Sequence, residues 1–146
     1  MARLLPLKQR RVFVDSSAYL ALLDRADEHH ERAQATLAAL ADGRYRQFTT
    51  NVLIIEAHAL ILAELGIAPA SEFLRAVDDS HTVVVRVRAA DEMRAKALLF
   101  QYADKDFSFT DAISFVVMER LDIRLAITFD RHFSQYGYTV ATSETP

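Results

Sequence analysis

The sequence predicts an α/β fold, a three-layer α/β/α sandwich with a central, mainly parallel sheet. Short runs of β-branched and aromatic residues alternate along the chain with longer stretches whose apolar residues recur at the helical period. Such alternation implies right-handed crossovers, which place helices on both faces of a parallel sheet. The chain has 146 residues, of which 51% are apolar and 25% charged, so it has the size and the apolar content of one domain.

Five segments have the composition of β-strands, and the last of them is the least β-like. They are short, as expected for strands buried between two layers of helices. The predicted strands are Val12–Val14, Phe48–Thr50, Thr82–Val87, Leu125–Phe129 and Tyr138–Val140.

The stretches between these strands have apolar residues three or four positions apart, which predicts helices with one buried face. Asn51 and Thr110 are the predicted N-caps of two helices, and Pro69 suits the first turn of another. Asp91 and Glu92 suit the positive end of a helix dipole. The apolar positions are Ala33, Leu37 and Leu40; Ala70, Phe73, Leu74 and Val77; and Ile113, Val116, Val117 and Leu121.

Composition excludes several classes of protein. The 17 basic and 20 acidic side chains give a net charge of −3, unlike a polycationic duplex-DNA binder. The absence of cysteine excludes disulfides, thiolate zinc sites and cysteine nucleophiles. No apolar run reaches the roughly 18 residues of a membrane span, so we expect a cytoplasmic protein without a membrane partner. We predict an N-terminal extension at 1–10, one domain at 11–140 and a tail at 141–146.

Two aspartates follow predicted strands. In an open parallel sheet the functional cleft lies beyond the carboxyl ends of the strands, so acidic residues there carry information about function. Asp15 follows Val12–Val14, and Asp130 follows Leu125–Phe129. The alternative for each is an ordinary helix N-cap, which stabilises a helix by about 1 kcal/mol.

A third acidic residue, Glu56, lies inside the helix predicted to begin near Asn51, so a capping role does not explain it. Its helical neighbours include Val52, Leu60 and Ala63. A carboxylate among apolar groups is costly unless it is neutralised, paired or bound to a cation. A buried ion pair with an arginine is the alternative to a functional role.

The fourth acidic residue is Asp111, which the pattern places at the first position of a helix. A carboxylate is favourable there because of the helix dipole. Its neighbours one and two turns later are Phe115 and Met118, so it shares an apolar face. This favours a site over a solvated cap.

Four carboxylates at one edge of the sheet would repel one another and raise each other's pKa without a compensating charge. A hard divalent cation supplies that charge. Oxygen ligands without cysteine or clustered histidines indicate Mg²⁺ or Mn²⁺ rather than zinc, and such ions complete their shell with water and substrate phosphate. The expected reaction is phosphodiester hydrolysis by a metal-activated water.

Four segments in this order resemble the motifs of PIN-domain ribonucleases, most of all the VapC-type toxins of prokaryotic toxin–antitoxin pairs. The resemblance extends from about Arg11 to Val140, nearly the whole chain. Each motif is weak alone, and their order and spacing make the signal specific. The segments are Val12–Ser17, the helix with Glu56, Asp106–Ala112 and Ile127–Phe133.

The resemblance implies a site, a substrate and partners. By motif, Ser17 and Thr128 become supporting hydroxyls that orient carboxylates or a metal-bound water. The family implies Mg²⁺- or Mn²⁺-dependent cleavage of single-stranded RNA, a homodimer, and inhibition by a cognate antitoxin. The implied catalytic and metal-binding quartet is Asp15, Glu56, Asp111 and Asp130.

Other functions remain as alternatives. One is a PIN-domain nuclease of RNA processing outside toxin–antitoxin systems, and another is a non-catalytic PIN-like scaffold that binds RNA or protein. An aspartyl phosphatase is disfavoured because Ser17 stands where a second aspartate is needed. A receiver domain is disfavoured because the last lysine, Lys105, precedes the final predicted strand. We expect His132 mainly at a helix surface or partly packed, with an approach to RNA as the alternative. We expect Asp106 mainly in solvent or as a cap, with support of a site residue as the alternative.

Overall fold

The computed structural model describes residues 4–146, in which strands and helices alternate as expected. A short 3₁₀-helix at Leu7–Gln9 precedes the first strand. The strands are β1 (Arg11–Val14), β2 (Arg46–Thr50), β3 (Val83–Val85), β4 (Leu125–Ile127) and β5 (Thr139–Val140). The helices are α1 (Ser16–Leu23), α2 (His30–Asp42), α3 (Asn51–Leu65), α4 (Ile67–Asp79), α5 (Ala89–Gln101), α6 (Phe109–Leu121) and α7 (His132–Tyr136).

The five strands form one sheet in the order β3-β2-β1-β4-β5, and every pair is parallel. The central strand β1 pairs with β2 through Phe13 opposite Phe48 and with β4 through Val14 opposite Ile127. The predicted mainly parallel sheet is therefore confirmed and is wholly parallel.

Helices cover both faces of this sheet. Side chains alternate along a strand, so β1 contributes to two separate cores. Val12 and Val14 pack in one cluster with Ala18 and Leu40, whereas Phe13 belongs to a second cluster with α5, α6 and α7. The predicted three-layer sandwich is confirmed.

Three strands are shorter than predicted, and the smallest difference is at β5, which begins at Thr139 rather than at Tyr138. The strand predicted at Thr82–Val87 is limited to β3, an edge strand that pairs with β2. Beyond it, the Val87 amide donates to the Asn51 side chain at 2.9 Å. The strand predicted at Leu125–Phe129 ends at Ile127, because the Phe129 amide donates to Ser17 Oγ at 3.0 Å instead of to a neighbouring strand.

Both predicted N-caps are wrong by one or two positions. Thr50 caps α3 through a hydrogen bond from the Leu53 amide at 3.1 Å, and Asn51 is the first helical residue. Ser108 caps α6, where Thr110 was predicted to do so. Several adjacent polar residues are competent caps, and tertiary packing decides between them.

Residues 1–3 of the predicted N-terminal extension lie outside the described part of the chain. The tail contributes a backbone contact at its start, where the Ala141 amide donates to the Ala126 carbonyl at 2.8 Å. The boundaries of the extension, the domain and the tail stay predictions. From residue 4 onward, no helix is both long enough and apolar enough to span a membrane.

Candidate active site

The candidate site lies where the order of the strands reverses. From β1 the chain builds β2 and β3 on one side of the sheet and later places β4 and β5 on the other. Helices leave the sheet in opposite directions at such a point, which opens a crevice at the carboxyl ends of the strands. Asp15 follows β1, and Thr128 and Asp130 follow β4. The two predicted strand-end aspartates therefore flank this crevice.

Asp15 is 4% exposed and occupies the N-cap position of α1, but its side chain makes no capping hydrogen bond. Its Oδ2 instead accepts hydrogen bonds from Ser17 Oγ at 2.7 Å and Thr128 Oγ1 at 2.9 Å. Burial raises the pKa of Asp15 to about 6, the two hydroxyls counteract part of this rise, and the charge of Asp130 adds to it. Asp15 is thus a carboxyl group whose negative charge is poorly compensated.

The hydroxyls of Ser17 and Thr128 also join the two strand ends. Thr128 Oγ1 accepts from the Asp130 amide at 3.0 Å while it donates to Asp15. Ser17 Oγ accepts from the Phe129 amide while it donates to the same oxygen of Asp15. Both hydroxyls therefore fix the orientation of Asp15 relative to the segment after β4.

Asp111 is 7% exposed and lies at the third position of α6, so the predicted first position is wrong by two residues. Its Oδ2 accepts from the Ser108 amide at 3.0 Å, and its own amide donates to Ser108 Oγ, which forms a capping box. Burial and the charge of Asp130 raise the pKa of Asp111, although the Ser108 amide and His132 oppose the rise. One carboxylate thus both caps the helix and faces Asp130.

Glu56 is half-buried, and its partner is Ser16, whose hydroxyl donates to Glu56 Oε1 at 2.5 Å. The fully apolar surroundings expected for Glu56 are not found, because the buried face of α3 is formed by Leu53, Ala57 and Ile61. The arginine partner considered as an alternative is also absent within residues 4–146. The hydrogen bond from Ser16 ties Glu56 to the residue after Asp15, but Glu56 lies outside the tightest acidic group.

That tightest group consists of Asp111, Asp130 and His132, which each offer one ligand atom within 4.8 Å of the others. His132 Nδ1 lies 2.9 Å from Asp111 Oδ2 and 2.9 Å from Asp130 Oδ1. Its Nε2 lies 3.0 Å from Asp106 Oδ1. Desolvation lowers the pKa of His132, but the charges of Asp130 and Asp111 and the bond to Asp106 outweigh it and raise the pKa.

His132 and Asp106 are not members of the predicted quartet, and of the two packing states expected for His132, helix surface or partly packed, the structure shows the second. The side chain of His132 is only 16% exposed. One signal was available: a histidine two residues after a strand-end aspartate begins the next helix and turns back toward that aspartate. The Asp130 carboxylate accepts from the His132 amide at 2.9 Å, which fixes this turn.

The residues present fit a divalent cation. Over the described range, residues 4–146, no lysine or arginine forms an ion pair with Asp15, Asp111 or Asp130. In addition, His132 Nδ1 is buried and is not aligned for a hydrogen bond with either nearby oxygen. Buried charges are normally paired or metal-bound, and oxygen donors with one imidazole suit ions such as Mn²⁺ or Mg²⁺.

Comparison with known proteins identifies relatives of this chain. The model of the PIN domain family matches residues 12–137. A VapC ribonuclease of Archaeoglobus fulgidus is 33% identical over 125 residues, which cover 83% of this chain and 78% of the relative. The 23S rRNA-specific endonuclease VapC20 of Mycobacterium tuberculosis is 31% identical over 134 residues, which cover 91% of this chain and 99% of the relative.

The crystal structure of Mycobacterium tuberculosis VapC20, described as a sarcin–ricin loop cleaving toxin, superposes with a TM-score of 0.80 at 28% identity. The match covers 88% of this chain and 96% of that one. Fold, order of motifs and sequence similarity agree over nearly the whole chain. The chain therefore belongs to the PIN-domain family and, within it, to the VapC ribonucleases.

Proposed function

We propose that this protein is a metal-dependent endoribonuclease that hydrolyses phosphodiester bonds of single-stranded RNA as the toxin of a toxin–antitoxin pair. The observation that carries this proposal is the group of aspartates at the switch point of the sheet, which no lysine or arginine of residues 4–146 neutralises. A cluster of this kind is costly for a protein without a bound cation. Similarity to the VapC ribonucleases supports the choice of RNA as substrate.

In this proposal Asp15, Glu56, Asp111 and Asp130 hold Mg²⁺ or Mn²⁺. When bound, the cation supplies charge that stabilises the phosphate in the transition state and activates the attacking water. Hydrogen bonds within the protein fix the orientation of two of these carboxylates. Asp15 and Asp111 each use Oδ2 for hydrogen bonds within the protein, which fixes the direction of their other oxygen.

Ser17 and Thr128 act as supporting hydroxyls. They donate to Asp15, and they bind the amides that follow β4, so they couple the position of Asp15 to that of Asp130. Such partners of ligand groups commonly contribute about 10- to 100-fold to metal affinity or activity.

We further propose a cytoplasmic homodimer that is inhibited by a cognate antitoxin. An arginine or lysine of the antitoxin would relieve the same carboxylate repulsion as the metal. Antitoxin and metal should then compete for the site. Adding Mn²⁺ to the purified complex should weaken inhibition of RNA cleavage, whereas an antitoxin bound at a remote surface would be insensitive to the metal.

The test is cleavage of total cellular RNA and intact ribosomes by the purified chain, followed by mapping of the new RNA ends. We expect cuts that require Mg²⁺ or Mn²⁺, that disappear with EDTA and that are absent with Asp111→Asn protein. A 23S rRNA fragment with the sarcin–ricin loop belongs in the assay, because the relative VapC20 is specific for 23S rRNA. Cuts elsewhere would give this chain a different target.

Expression in the native host distinguishes the toxin from a nuclease of RNA processing. We expect growth arrest that co-expression of a small protein encoded beside this chain relieves. Metal-dependent cleavage without growth arrest, and without such a neighbouring gene, would favour the RNA-processing function.

A further inference from the structure

His132 is fixed from several sides at the edge of the acidic group. Asp106 Oδ1 lies 3.0 Å from its Nε2, and the ring of Phe107 stands edge-on at 85° with 5.5 Å between centroids. The His132 amide donates to Asp130 Oδ1 at 2.9 Å. The imidazole is therefore an oriented group rather than a freely rotating surface side chain.

The orientation directs one nitrogen to the acidic group and the other to Asp106. Nδ1 is buried and lies 2.9 Å from oxygens of both Asp111 and Asp130, but it makes no aligned hydrogen bond to either. A group close to two carboxylates yet aligned with neither lies where a bridging cation would satisfy all three. An aspartate on the outer nitrogen is the arrangement that commonly orients a metal-binding histidine.

We propose that His132 binds the catalytic divalent cation through Nδ1, together with Asp111 and Asp130, and that Asp106 is the positioning residue that orients it. This inference rests on the proposed metal-dependent function. It adds a nitrogen donor to an expected set of four carboxylates.

A nitrogen donor changes which ions bind well. Imidazole favours Mn²⁺ and later transition metals over Mg²⁺, which prefers oxygen ligands. If His132 is a ligand, its loss should weaken binding of Mn²⁺ more than binding of Mg²⁺. If it only neutralises the carboxylates, its loss should affect both ions alike.

The direct test uses the unaltered protein with bound Mn²⁺ and measures electron spin echo envelope modulation, which detects nitrogen coordinated to the ion. We expect a nitrogen coupling in the parent protein that is absent in His132→Asn. His81→Asn is the matched control, because His81 is exposed before β3 at the opposite end of the sheet. It should retain the coupling.

A second measurement is Mn²⁺ and Mg²⁺ affinity by calorimetry. We expect His132→Asn to lower the affinity for Mn²⁺ at least about 10-fold. We expect Asp106→Ala to lower it about 10-fold, as is typical for residues that hydrogen-bond to a metal ligand. Arg131→Ala is the control for Asp106, because Arg131 is its other partner, at 3.1 Å. It should leave both affinities unchanged.

The inference would be overturned if Mn²⁺ bound to the parent protein showed no nitrogen coupling. It would also be overturned if His132→Asn lowered the affinities for Mn²⁺ and Mg²⁺ equally. RNA cleavage that still required the metal and Asp111 would leave the proposed function intact in that case. Metal-independent cleavage would instead refute the proposed function itself.

Discussion

Two buried aspartates of this protein have opposite electrostatic surroundings. Asp91, 1% exposed, lies between α5 and α6, where Arg120 donates to both of its oxygens at 3.0 and 2.8 Å. Asp111 lies one helix further along the chain and is 7% exposed, and within residues 4–146 no arginine or lysine is paired with it. Desolvation raises the pKa of Asp91, but the hydrogen bonds and charge of Arg120 outweigh it and lower the pKa, whereas burial raises the pKa of Asp111.

The difference separates a structural acid from a functional one. A carboxylate paired with a guanidinium has no remaining charge for a ligand, so Asp91 serves to join two helices. A carboxylate that is buried with other carboxylates destabilises the metal-free protein, and this cost is recovered when a cation binds. The comparison predicts that neutral variants at the two places will have opposite consequences.

The largest expected effect is on activity. Asp111→Asn keeps the shape of the side chain but removes a charge from the proposed metal site. We expect metal-dependent RNA cleavage to fall about 100-fold or more, which corresponds to a loss of about 3 kcal/mol or more of transition-state stabilisation. The variant protein should be as stable as the parent in EDTA, because carboxylate repulsion is relieved. Single-turnover cleavage and urea unfolding measure the two quantities. A folded variant that cuts at the parental rate would contradict the assignment.

The matched substitution at Asp91 should reduce stability and leave activity unchanged. Asp91→Asn leaves the mostly buried Arg120 without its partner, and we expect a loss of about 3 kcal/mol in the free energy of unfolding. The protein that remains folded should cleave RNA at the parental rate. Reduced cleavage at full folding would mean that the ion pair has a role in the site.

The third prediction concerns pH. The pKa of Asp15 is about 6 in the folded protein and 3.8 in the unfolded chain, so between these values the folded state binds more protons. The free energy of unfolding in EDTA should therefore be highest near pH 4 and fall as pH rises to 6, by roughly 2–3 kcal/mol. Urea unfolding at several pH values measures this slope. Asp15→Asn should flatten it.

Bound metal should stabilise the protein more as pH rises from 4 to 6, whereas the metal-free protein should lose stability over this range. Mn²⁺ binds the ionised carboxylates, so the rise in melting temperature that it causes should grow as pH increases from 4 to 6. A metal effect that is independent of pH would place the ion away from Asp15.

The smallest effect is expected from the supporting hydroxyl. Thr128→Val preserves volume but removes the hydrogen bond to Asp15, and we expect a loss of about 10-fold in activity. Thr82→Val, in the chain segment before β3, is an isosteric control that should have no effect on cleavage. An equal loss in both variants would remove the argument for a specific role of Thr128.

Much of the fold was predictable because the relevant signals are local. Strand composition and helical periodicity identify the alternating elements, and handedness then leaves few ways to assemble them. The same reasoning located Asp15 and Asp130, since a residue that follows a parallel strand lies at the carboxyl edge whatever the remaining contacts are.

The details that were missed depend on contacts between distant segments. Asp106 meets His132 across 26 positions of the chain, and Ser16 meets Glu56 across 40. The periodicity of apolar residues in the sequence does not indicate such contacts. The exposure of Glu56 was also misjudged, because apolar neighbours along α3 indicate a buried face only if another element covers them.

The most direct test of the account is calorimetric titration of Mn²⁺ into the metal-free parent, Asp111→Asn and Asp91→Asn proteins under conditions where all three are folded. We expect saturable binding to the parent and to Asp91→Asn, and at least about 10-fold weaker binding to Asp111→Asn. Equal binding by the parent and Asp111→Asn would contradict the claim that the aspartates at the sheet edge hold the catalytic metal.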